Sequence, residues 1–399
     1  MRMDVAIVGA GPSGLCLARA LAGIGLSVAL VEAQPREVLR QAPFDGREIA
    51  LTHASRRILQ SLGIWRHLDP AAIAPMRQAR IVDGHASFAL DIRPEQGQAS
   101  ALGWLVSNHA IRQAAYEEVH AHGGIGLFDA ARVLSVQRSQ DQVDLQLDTG
   151  EHLHARLLVA ADSRFSEVRR MLGVGAQQCD FGKTMLVCRM QHAQPHGQVA
   201  LEWFCHGRTV ALLPLPGAQS SVVLTLRPQQ AQALLAMGDA EFGEAVTGLC
   251  EGRLGAMQPV GTRHAYPLVA TYAHRFAGER FALVGDAAVG MHPVTAHGFN
   301  FGLQGQARLA AELKAALAHG ADPGRIAPLQ AYARAHRRAT WPLYQATNAI
   351  AKLYTDDRRP AQWLRQAALR VAQGLPPLRR AIAAHLTQRA EVMPRPMRS

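Results

Sequence analysis

The first residues whose types and spacing could bind a ligand are three glycines and an acid. Gly9, Gly11 and Gly14 form a G-x-G-x-x-G motif directly after an apolar run, and Glu32 ends the next apolar run. In such a turn the glycines permit a tight bend, close approach of a pyrophosphate and close packing of a helix on a strand. The amides of the helix N-terminus attract phosphate oxygens, and the acid accepts a hydrogen bond from a ribose hydroxyl. The pattern predicts a strand-helix-strand unit that binds an adenine dinucleotide.

A second carboxylate follows another apolar run late in the chain, in the sequence Gly285-Asp286-Ala287-Ala288. A carboxylate at the end of a strand can accept hydrogen bonds from a polyol, although a helix cap is the simpler alternative for Asp286. A predicted helix begins near Gly298, and its positive end would stabilise negative charge on a bound flat ring. Gly298 would let a backbone amide approach that ring closely.

Arg47 lies in the loop after the strand-helix-strand unit. Its planar guanidinium could bind the oxygens of a pyrophosphate or lie over the ligand. A surface ion pair is the alternative for an isolated arginine, so this assignment depends on the neighbouring motifs.

The hydrophobic periodicity predicts an α/β protein with a β-rich insertion. Apolar runs at 157–161 and 281–284 are typical of buried parallel strands, and 180–275 is rich in strand patterns. Helices are predicted over 108–122, 298–318 and 328–355. The clearest strands of the insertion are 200–204, 210–214 and 221–226.

Length, charge and cysteine usage exclude several classes of protein. A chain of 399 residues is long for one core, which predicts more than one domain. The five cysteines are scattered without C-x-x-C spacing, so we expect reduced thiols and no metal site. The formal net charge is +11, but no nucleic-acid-binding motif accompanies it, and we expect no nucleic-acid partner.

Targeting signals are not expected either. The first four residues lead directly into the first strand, which argues against a signal peptide, and no run of about 18 apolar residues could span a bilayer. We therefore expect a cytoplasmic protein, with peripheral contact at the inner membrane surface as the alternative.

Several motifs together resemble the single-component, FAD-dependent aromatic hydroxylases, and within them the ubiquinone-biosynthesis hydroxylases. Besides the glycine motif, they are the D-x-R-x-x-A-L motif from Asp45 to Leu51, the segment 161–170 that contains Asp162, and the G-D-A-A motif at 285–288. The segment 102–108 resembles the one whose asparagine lies near the cofactor, here Asn108. The resemblance covers nearly the whole chain and implies that Asp162 and Asn108 also contact FAD.

The chain departs from the family pattern at several positions. Ser163 replaces a glycine, Val289 a histidine, and Ala296 and His297 replace glycine and glutamine, while Gly305 stands where an acid is common. The loss of the glycine at 163 puts in doubt how tightly that turn approaches the cofactor. These variants resemble a divergent subgroup of the ubiquinone-biosynthesis hydroxylases.

The resemblance implies a fold of the para-hydroxybenzoate-hydroxylase type. Such a protein has a Rossmann-like FAD-binding domain, an inserted mixed β-sheet substrate domain and a helical C-terminal tail. The expected divisions are 1–75, 106–179 and 276–330 for the FAD-binding domain, 76–105 and 180–275 for the substrate domain, and 331–399 for the C-terminal region.

The resemblance also implies the reaction. NAD(P)H transiently reduces the bound FAD, which then reacts with O2 to form a flavin C4a-hydroperoxide that hydroxylates an aromatic ring. The expected substrate is a prenylated phenol of ubiquinone biosynthesis, and another small aromatic metabolite is the alternative. A non-catalytic flavin-binding subunit of a membrane-associated complex is a competing hypothesis. A flavin-dependent halogenase is disfavoured because the chain has no W-x-W-x-I-P segment.

Within that framework, Pro293 is expected over the reactive edge of the flavin, and the resemblance implies contacts with its pyrimidine side from Gly298, Phe299 and Asn300. His292 and His297 are candidate proton donors or acceptors, because histidine titrates near neutral pH, although simple packing is an equal alternative for each. The cleft between the flavin and the β-rich domain is expected to be walled by Trp203, Phe204 and Leu213.

The basic tail could serve a membrane-facing role. Apolar residues at helical spacing alternate with arginines between 363 and 386, a pattern that suits an amphipathic helix at an anionic interface or one that covers the protein body. A homo-oligomer or a biosynthetic complex would be compatible with either arrangement.

Overall fold

The computed structural model describes residues 1–84, 89–94, 101–205, 207–292 and 298–355. Its strands form two eight-stranded sheets and one three-stranded sheet. In chain order the strands are β1 (Arg2–Val8), β2 (Val28–Val31), β3 (Glu48–Leu51), β4 (Ala74–Met76), β5 (Gln78–Asp83), β6 (Ala89–Ile92), β7 (Gly103–Ser107), β8 (Ile125–Phe128), β9 (Val133–Arg138), β10 (Val143–Leu147), β11 (His152–Ala160), β12 (Ala176–His192), β13 (Val199–Cys205), β14 (Arg208–Pro214), β15 (Gln219–Leu226), β16 (Met257–Ala273), β17 (Ala277–Gly278), β18 (Phe281–Leu283) and β19 (Val289–Gly290). We call the sheet that contains β1 the nucleotide sheet and the sheet that contains β13 the substrate sheet, after the roles that the resemblance implies, and we call the small one the third sheet.

The helices connect these strands and form the end of the described chain. They are α1 (Pro12–Ala22), α2 (Arg36–Gln41), α3 (His53–Ser61), α4 (Asn108–His120), α5 (Glu167–Met171), α6 (Pro228–Ala236), α7 (Asp239–Leu249), α8 (Gly298–Ala318) and α9 (Ile326–Thr355). Within the described residues, no helix combines the length and the apolar character needed to cross a membrane.

The nucleotide sheet has a parallel centre in the order β18-β11-β1-β2-β8. The residues from Leu157 to Ala160 at the end of β11 are fully buried, as expected for a strand with parallel neighbours on both sides. α1 begins at Pro12, whose fixed φ suits a first helical turn. The strand-helix-strand prediction is confirmed, and it brings the ends of β1, β11 and β18 to one edge.

The substrate sheet is mixed, in the order β19-β16-β12-β15-β14-β13-β5-β6. Most neighbours are antiparallel, whereas β13 and β5 are parallel. One face packs against α6 and α7 through an apolar cluster that includes Trp203, Leu224 and Phe242. These two helices lie within the region that the sequence pattern predicted as β-rich, and their apolar face covers the outer side of the sheet.

The third sheet has the order β3-β7-β4 and is antiparallel. Its central strand β7 runs across the predicted boundary between the substrate domain and the FAD-binding domain at residue 105. β7 pairs with β3 and β4, and it leads directly into α4. The third sheet therefore joins the two larger ones near the loop that carries Arg47.

Candidate active site

The glycine turn after β1 is tightly packed on two sides and open on a third. A Cβ at Gly14 would lie 1.9 Å from the Gly9 carbonyl oxygen, and a Cβ at Gly9, whose φ is +107°, would lie 2.6 Å from the Ala161 oxygen. At Gly11 a Cβ would meet no atom within 4 Å. The open space therefore lies at the N-terminus of α1, where backbone amides can receive a phosphate.

Glu32 lies beside this turn, at the end of β2. Its Oε2 accepts a hydrogen bond from the Ala10 amide at 2.7 Å, and its Oε1 accepts one from the Gln34 amide at 3.0 Å. Each carboxylate oxygen has a second lone pair, so these bonds fix the orientation of the acid and leave it able to accept ribose hydroxyls.

The early glycine turn and the late Gly-Asp turn meet at Ser13. A Cβ at Gly285 would lie 2.8 Å from the Ser13 Oγ, and one at Gly302 would lie 2.7 Å from the same atom. The first turn of α1 thus packs against both the 285–287 turn and α8. This convergence is the arrangement that binding of one extended dinucleotide requires.

Asp286 has an ion-pair partner that sequence reasoning did not identify. Arg164 donates to its Oδ2 from Nη2 at 2.7 Å and from Nε at 3.2 Å, and its Nη1 donates to the Val269 oxygen at 2.8 Å. The Asp286 side chain is 38% exposed. Because Arg164 binds Oδ2, Oδ1 is the oxygen that can accept hydrogen bonds from a ligand. Arg164 follows Ser163, the position at which the chain departs from the family glycine.

Asp162 is held beside the glycine turn. Its Oδ2 accepts the Glu167 amide at 3.0 Å, while its buried Oδ1 has no hydrogen-bond partner among the described residues. Arg169, which is buried, joins this segment to the Gly-Asp turn by donating to the Ala287 oxygen at 2.9 Å. The segment 161–170 therefore supports both turns of the predicted cofactor site.

Arg47 belongs to a compact polar group with Asp45, Asn108 and Tyr266. Arg47 donates to the Asp45 carboxylate from Nη2 at 2.6 Å, and the Asn108 amide donates to the same Oδ2 at 2.7 Å. Burial would raise the pKa of Asp45, but the Arg47 guanidinium and the Asn108 amide keep it below its usual value. Tyr266 donates to the Asp45 carbonyl oxygen at 2.7 Å, and its ring lies under the guanidinium.

At the start of α8, Asn300 holds a neighbouring segment in place. Its Oδ1 accepts the Thr52 amide at 3.1 Å, and its Nδ2 donates to the Ala50 oxygen at 2.8 Å. Phe299 packs against the core of the nucleotide sheet, and a Cβ at Gly298 would meet no atom of the described residues within 4 Å. The space beside Gly298 remains compatible with a ring at the positive end of α8.

Of the three candidate catalytic residues, Pro293, His292 and His297, the structure describes only His292. Pro293 and His297 lie outside the described residues. His292 is buried, and its ring packs edge-on against Phe181 with centroids 4.6 Å apart. Burial, together with the positive charge of Arg164, lowers the pKa of His292 to about 4. His292 is therefore neutral at pH 7, which argues against the role of proton donor, whereas its roles as a proton acceptor or as a packing residue stay predictions.

The expected pocket wall requires one correction. Trp203 belongs to the cluster under α6 and α7, and its Nε1 donates to the Gly84 oxygen at 2.8 Å. Successive residues of a strand point to opposite faces, so Phe204 lies on the other side of the sheet. Leu213 shares the face of Phe204, because its neighbour Leu212 lies in the α6 and α7 cluster. The wall can therefore include Phe204 and Leu213 and excludes Trp203.

These residues fit FAD on observations of the structure itself. A Cβ at Gly11 would meet no atom of the described residues, so space for a phosphate lies at the N-terminus of α1, and the buried Oδ1 of Asp162 has no hydrogen-bond partner among the described residues. The phosphates would bind at Gly11, the ribose at Glu32 and the ribityl chain at Asp286.

Comparison with known proteins supports FAD as the cofactor. The family model described as "FAD binding domain" matches residues 2–347. Ubiquinone hydroxylase UbiM of Neisseria meningitidis is 43% identical over 391 residues, which cover 97% of this chain and 85% of that protein. Ubiquinone hydroxylase UbiL of Rhodospirillum rubrum is 35% identical over 395 residues, which cover 99% of this chain and 92% of that protein.

Solved structures show the same fold at lower identity. p-Nitrophenol 4-monooxygenase PnpA of Pseudomonas putida superposes with a TM-score of 0.79 at 16% identity, covering 98% of this chain and 100% of that one. PqsL of Pseudomonas aeruginosa, a probable FAD-dependent monooxygenase, gives 0.71 at 20% identity, covering 90% of this chain and 98% of that one. The fold prediction and the subgroup indicated by the sequence variants are both confirmed. The chain belongs to the FAD-binding domain family, as an FAD-dependent monooxygenase of the group that contains the ubiquinone hydroxylases.

Proposed function

We propose that this protein hydroxylates the aromatic ring of a prenylated phenol, a precursor of ubiquinone, with O2 and NAD(P)H. The observation that carries the proposal is 43% identity to UbiM along 97% of the chain. The similarity to UbiL also covers nearly the whole chain, at 99% of its residues. The proposal therefore rests on the whole chain and not on the nucleotide motif alone.

The chain's own residues would hold the cofactor and control its surroundings. Bound FAD, once reduced by NAD(P)H, would activate O2, from which one oxygen atom enters the ring and the other leaves as water. The helix N-terminus at Gly11 would bind the pyrophosphate, and Arg164, which pairs with Asp286, would keep that carboxylate oriented for the ribityl chain. Arg47 is held by Asp45 and Tyr266 at the same edge, where it adds positive charge near the cofactor.

An apolar substrate fits the side of the substrate sheet that faces Arg47. Phe204, Leu213 and Val187 lie on that face, and apolar surface there excludes water from the ring. The prenyl chain needs access from a lipid phase, and we propose peripheral contact with the inner membrane surface through the basic tail. That tail lies outside the described residues, so its sequence pattern alone supports the contact.

The test uses the purified flavoprotein with 2-geranylphenol, NAD(P)H and isotopically labelled O2. We expect one labelled oxygen atom in the ring of the product, detected by mass spectrometry, and substrate-stimulated oxidation of NAD(P)H. Unlabelled product or oxidation without product would contradict the proposal. No turnover with any phenol would favour the non-catalytic subunit.

A genetic experiment tests the biological substrate. Deletion of the gene should deplete ubiquinone and cause a precursor that lacks one ring hydroxyl to accumulate. An unchanged quinone pool would contradict the ubiquinone assignment and leave hydroxylation of another small aromatic metabolite.

A further inference from the structure

Glu202 places a carboxyl group in apolar surroundings on the substrate sheet. It lies in β13, directly opposite Ile81 of β5 and Ala211 of β14. On its own strand the residues that share its face are Ala200 and Phe204, because side chains alternate along a strand. The immediate neighbours of Glu202 on this face are therefore apolar.

The face that carries Glu202 is the one turned toward the cofactor loop. On the same face, Arg189 binds Glu48 at 2.7 Å, and Tyr266 donates to the Asp45 oxygen at 2.7 Å. His264 lies against Gly46, where a Cβ would come within 2.8 Å of its ring. Contacts with residues 45–48 thus fix this side of the sheet against the loop that contains Arg47. Trp203, one residue away, lies on the opposite face under α6 and α7.

The carboxyl group is enclosed but retains contact with solvent. Glu202 is half-buried, and burial raises its pKa to about 8, with no offset from a described charge or hydrogen-bond donor. The titratable or charged groups on the same face are Asp83 at the end of β5, Arg189, which is paired with Glu48, and His264 and Tyr266 on β16. A carboxyl group that keeps some accessible surface among apolar neighbours can be stabilised there by a polar group of a ligand that reaches it.

On the basis of the proposed function, we propose that Glu202 binds the ring hydroxyl of the aromatic substrate and accepts its proton. The phenolic O–H bond breaks, a new O–H bond forms on the Glu202 carboxylate, and the electron pair remains on the phenolate oxygen. The negative oxygen makes the ring more reactive toward the electrophilic oxygen atom delivered from the cofactor side. Phe204 and Leu213, on the same face, would hold the apolar part of the ring.

This role explains why an acid occurs at a site that would otherwise favour an apolar residue. A carboxyl group in water is too weak a base for a phenol, whereas a base that titrates near the working pH is well matched to proton transfer. Burial raises the pKa of Glu202, and this raised pKa makes the carboxylate a stronger base for a phenol bound beside it.

The first experiment compares Glu202→Gln, Glu202→Asp and a control, Glu241→Gln, in the flavoprotein with 2-geranylphenol. Glu241 is an exposed glutamate of α7 on the far side of the sheet. We expect kcat/KM of the wild type to rise with pH up to about 8 and then level off. Glu202→Gln should lose about 100-fold at the plateau and lose the pH dependence, as expected for removal of a general base. Glu202→Asp should recover part of the rate, and Glu241→Gln should match the wild type.

A Glu202→Gln variant that stays within about threefold of the wild type and keeps the same pH dependence would overturn the proposal. Unchanged FAD content and melting temperature would show that the variant is folded, and glutamine suits the site because it is close to the neutral acid in shape.

A second measurement does not depend on turnover and separates the two proposals. The infrared spectrum of the wild type at pH 7 should contain a carboxylic-acid carbonyl band that 2-geranylphenol shifts and that Glu202→Gln lacks. If the wild type fails to hydroxylate but shows this band and shift, the proposed substrate is wrong and the Glu202 assignment stands. A band that is absent, or unmoved by the phenol, overturns the assignment even in an active enzyme.

Discussion

The nucleotide sheet and the substrate sheet use their residues in different ways. At the edge of the nucleotide sheet the ligand site is built from backbone: the amides at α1, the close contact between Gly14 and Gly9, and the space beside Gly11. On the substrate sheet the proposed site would be built from side chains such as Phe204 and Glu202, whose face is set by strand register. Backbone sites need particular residues at fixed spacing, whereas side-chain sites need only the correct face.

The substitution with the largest expected effect, Gly14→Ala, tests the glycine turn after β1. Gly14→Ala places a Cβ 1.9 Å from the Gly9 oxygen, so α1 must move away from β1. We expect a loss of about 3 kcal/mol or more in the free energy of unfolding and a protein without yellow colour. Thermal unfolding and the FAD content of the purified protein measure both effects.

Gly11→Ala is the matched control, because a Cβ there meets no protein atom and its φ is −68°. This variant should fold with an unchanged melting temperature when FAD is absent. It should bind FAD about tenfold more weakly, which corresponds to a loss of about 1.4 kcal/mol in binding free energy. Equal loss of stability in both variants would show that the open space is not a phosphate site.

The next prediction compares the two faces of the substrate sheet. Trp203→Ala removes a buried ring and its hydrogen bond to Gly84, and it should cost about 3–5 kcal/mol of unfolding free energy. KM for the phenol should stay unchanged in the molecules that remain folded. Phe204→Leu should cost about 1 kcal/mol and raise KM several-fold. Denaturant titration and steady-state kinetics separate these effects, and a KM defect in the Trp203 variant alone would reverse our assignment of the faces.

These two faces also show what the sequence could reveal. The glycine motif, Glu32 and the apolar run of β11 were predictable because each obeys a local rule of spacing or periodicity. The meeting of Ser13 with Gly285 and Gly302 was predictable only through the family resemblance, because it joins segments far apart in sequence.

The side-chain positions were less accessible from sequence. Trp203 and Phe204 are adjacent and equally apolar, and the choice between faces depends on α6 and α7, which the β-rich pattern hid. Arg164 pairs with Asp286 across 122 positions of sequence, so no local signal identified it. β13 is apolar except for Glu202, so the sequence does not show which face carries the acid, and only the tertiary structure shows that Glu202 is partly enclosed.

The third prediction concerns stability and pH, and it separates an enclosed Glu202 from an exposed one. The pKa is about 8 in the folded state against 4.5 for an ordinary glutamate, so the unfolded chain releases its proton first as pH rises. This residue therefore lowers the free energy of unfolding progressively between about pH 4.5 and pH 8 and has a constant effect above that range.

Glu202→Gln should consequently match the wild type near pH 4 and exceed it by roughly 2 kcal/mol near pH 8.5, a value reduced because the side chain keeps some exposure. Urea titrations of both proteins across this range measure the difference. Glu241→Gln should show no such trend, and a parallel wild-type and Glu202→Gln profile would place Glu202 in water.

The smallest expected effect returns to the cofactor edge and asks whether Arg164 binds FAD itself or only orients Asp286. Asp286→Ala removes the acceptor for the ribityl chain and should give largely colourless protein. Arg164→Gln removes a partly exposed ion pair, which is worth about 1 kcal/mol, so FAD should bind roughly fivefold more weakly and the protein should stay yellow. Added salt should weaken FAD binding by the wild type more than by Arg164→Gln, because the lost pair is the part that salt screens. If Arg164→Gln is as colourless as Asp286→Ala, the arginine contacts the cofactor directly. FAD binding at the edge of the nucleotide sheet would then depend on a side chain as strongly as the proposed substrate binding does on the substrate sheet.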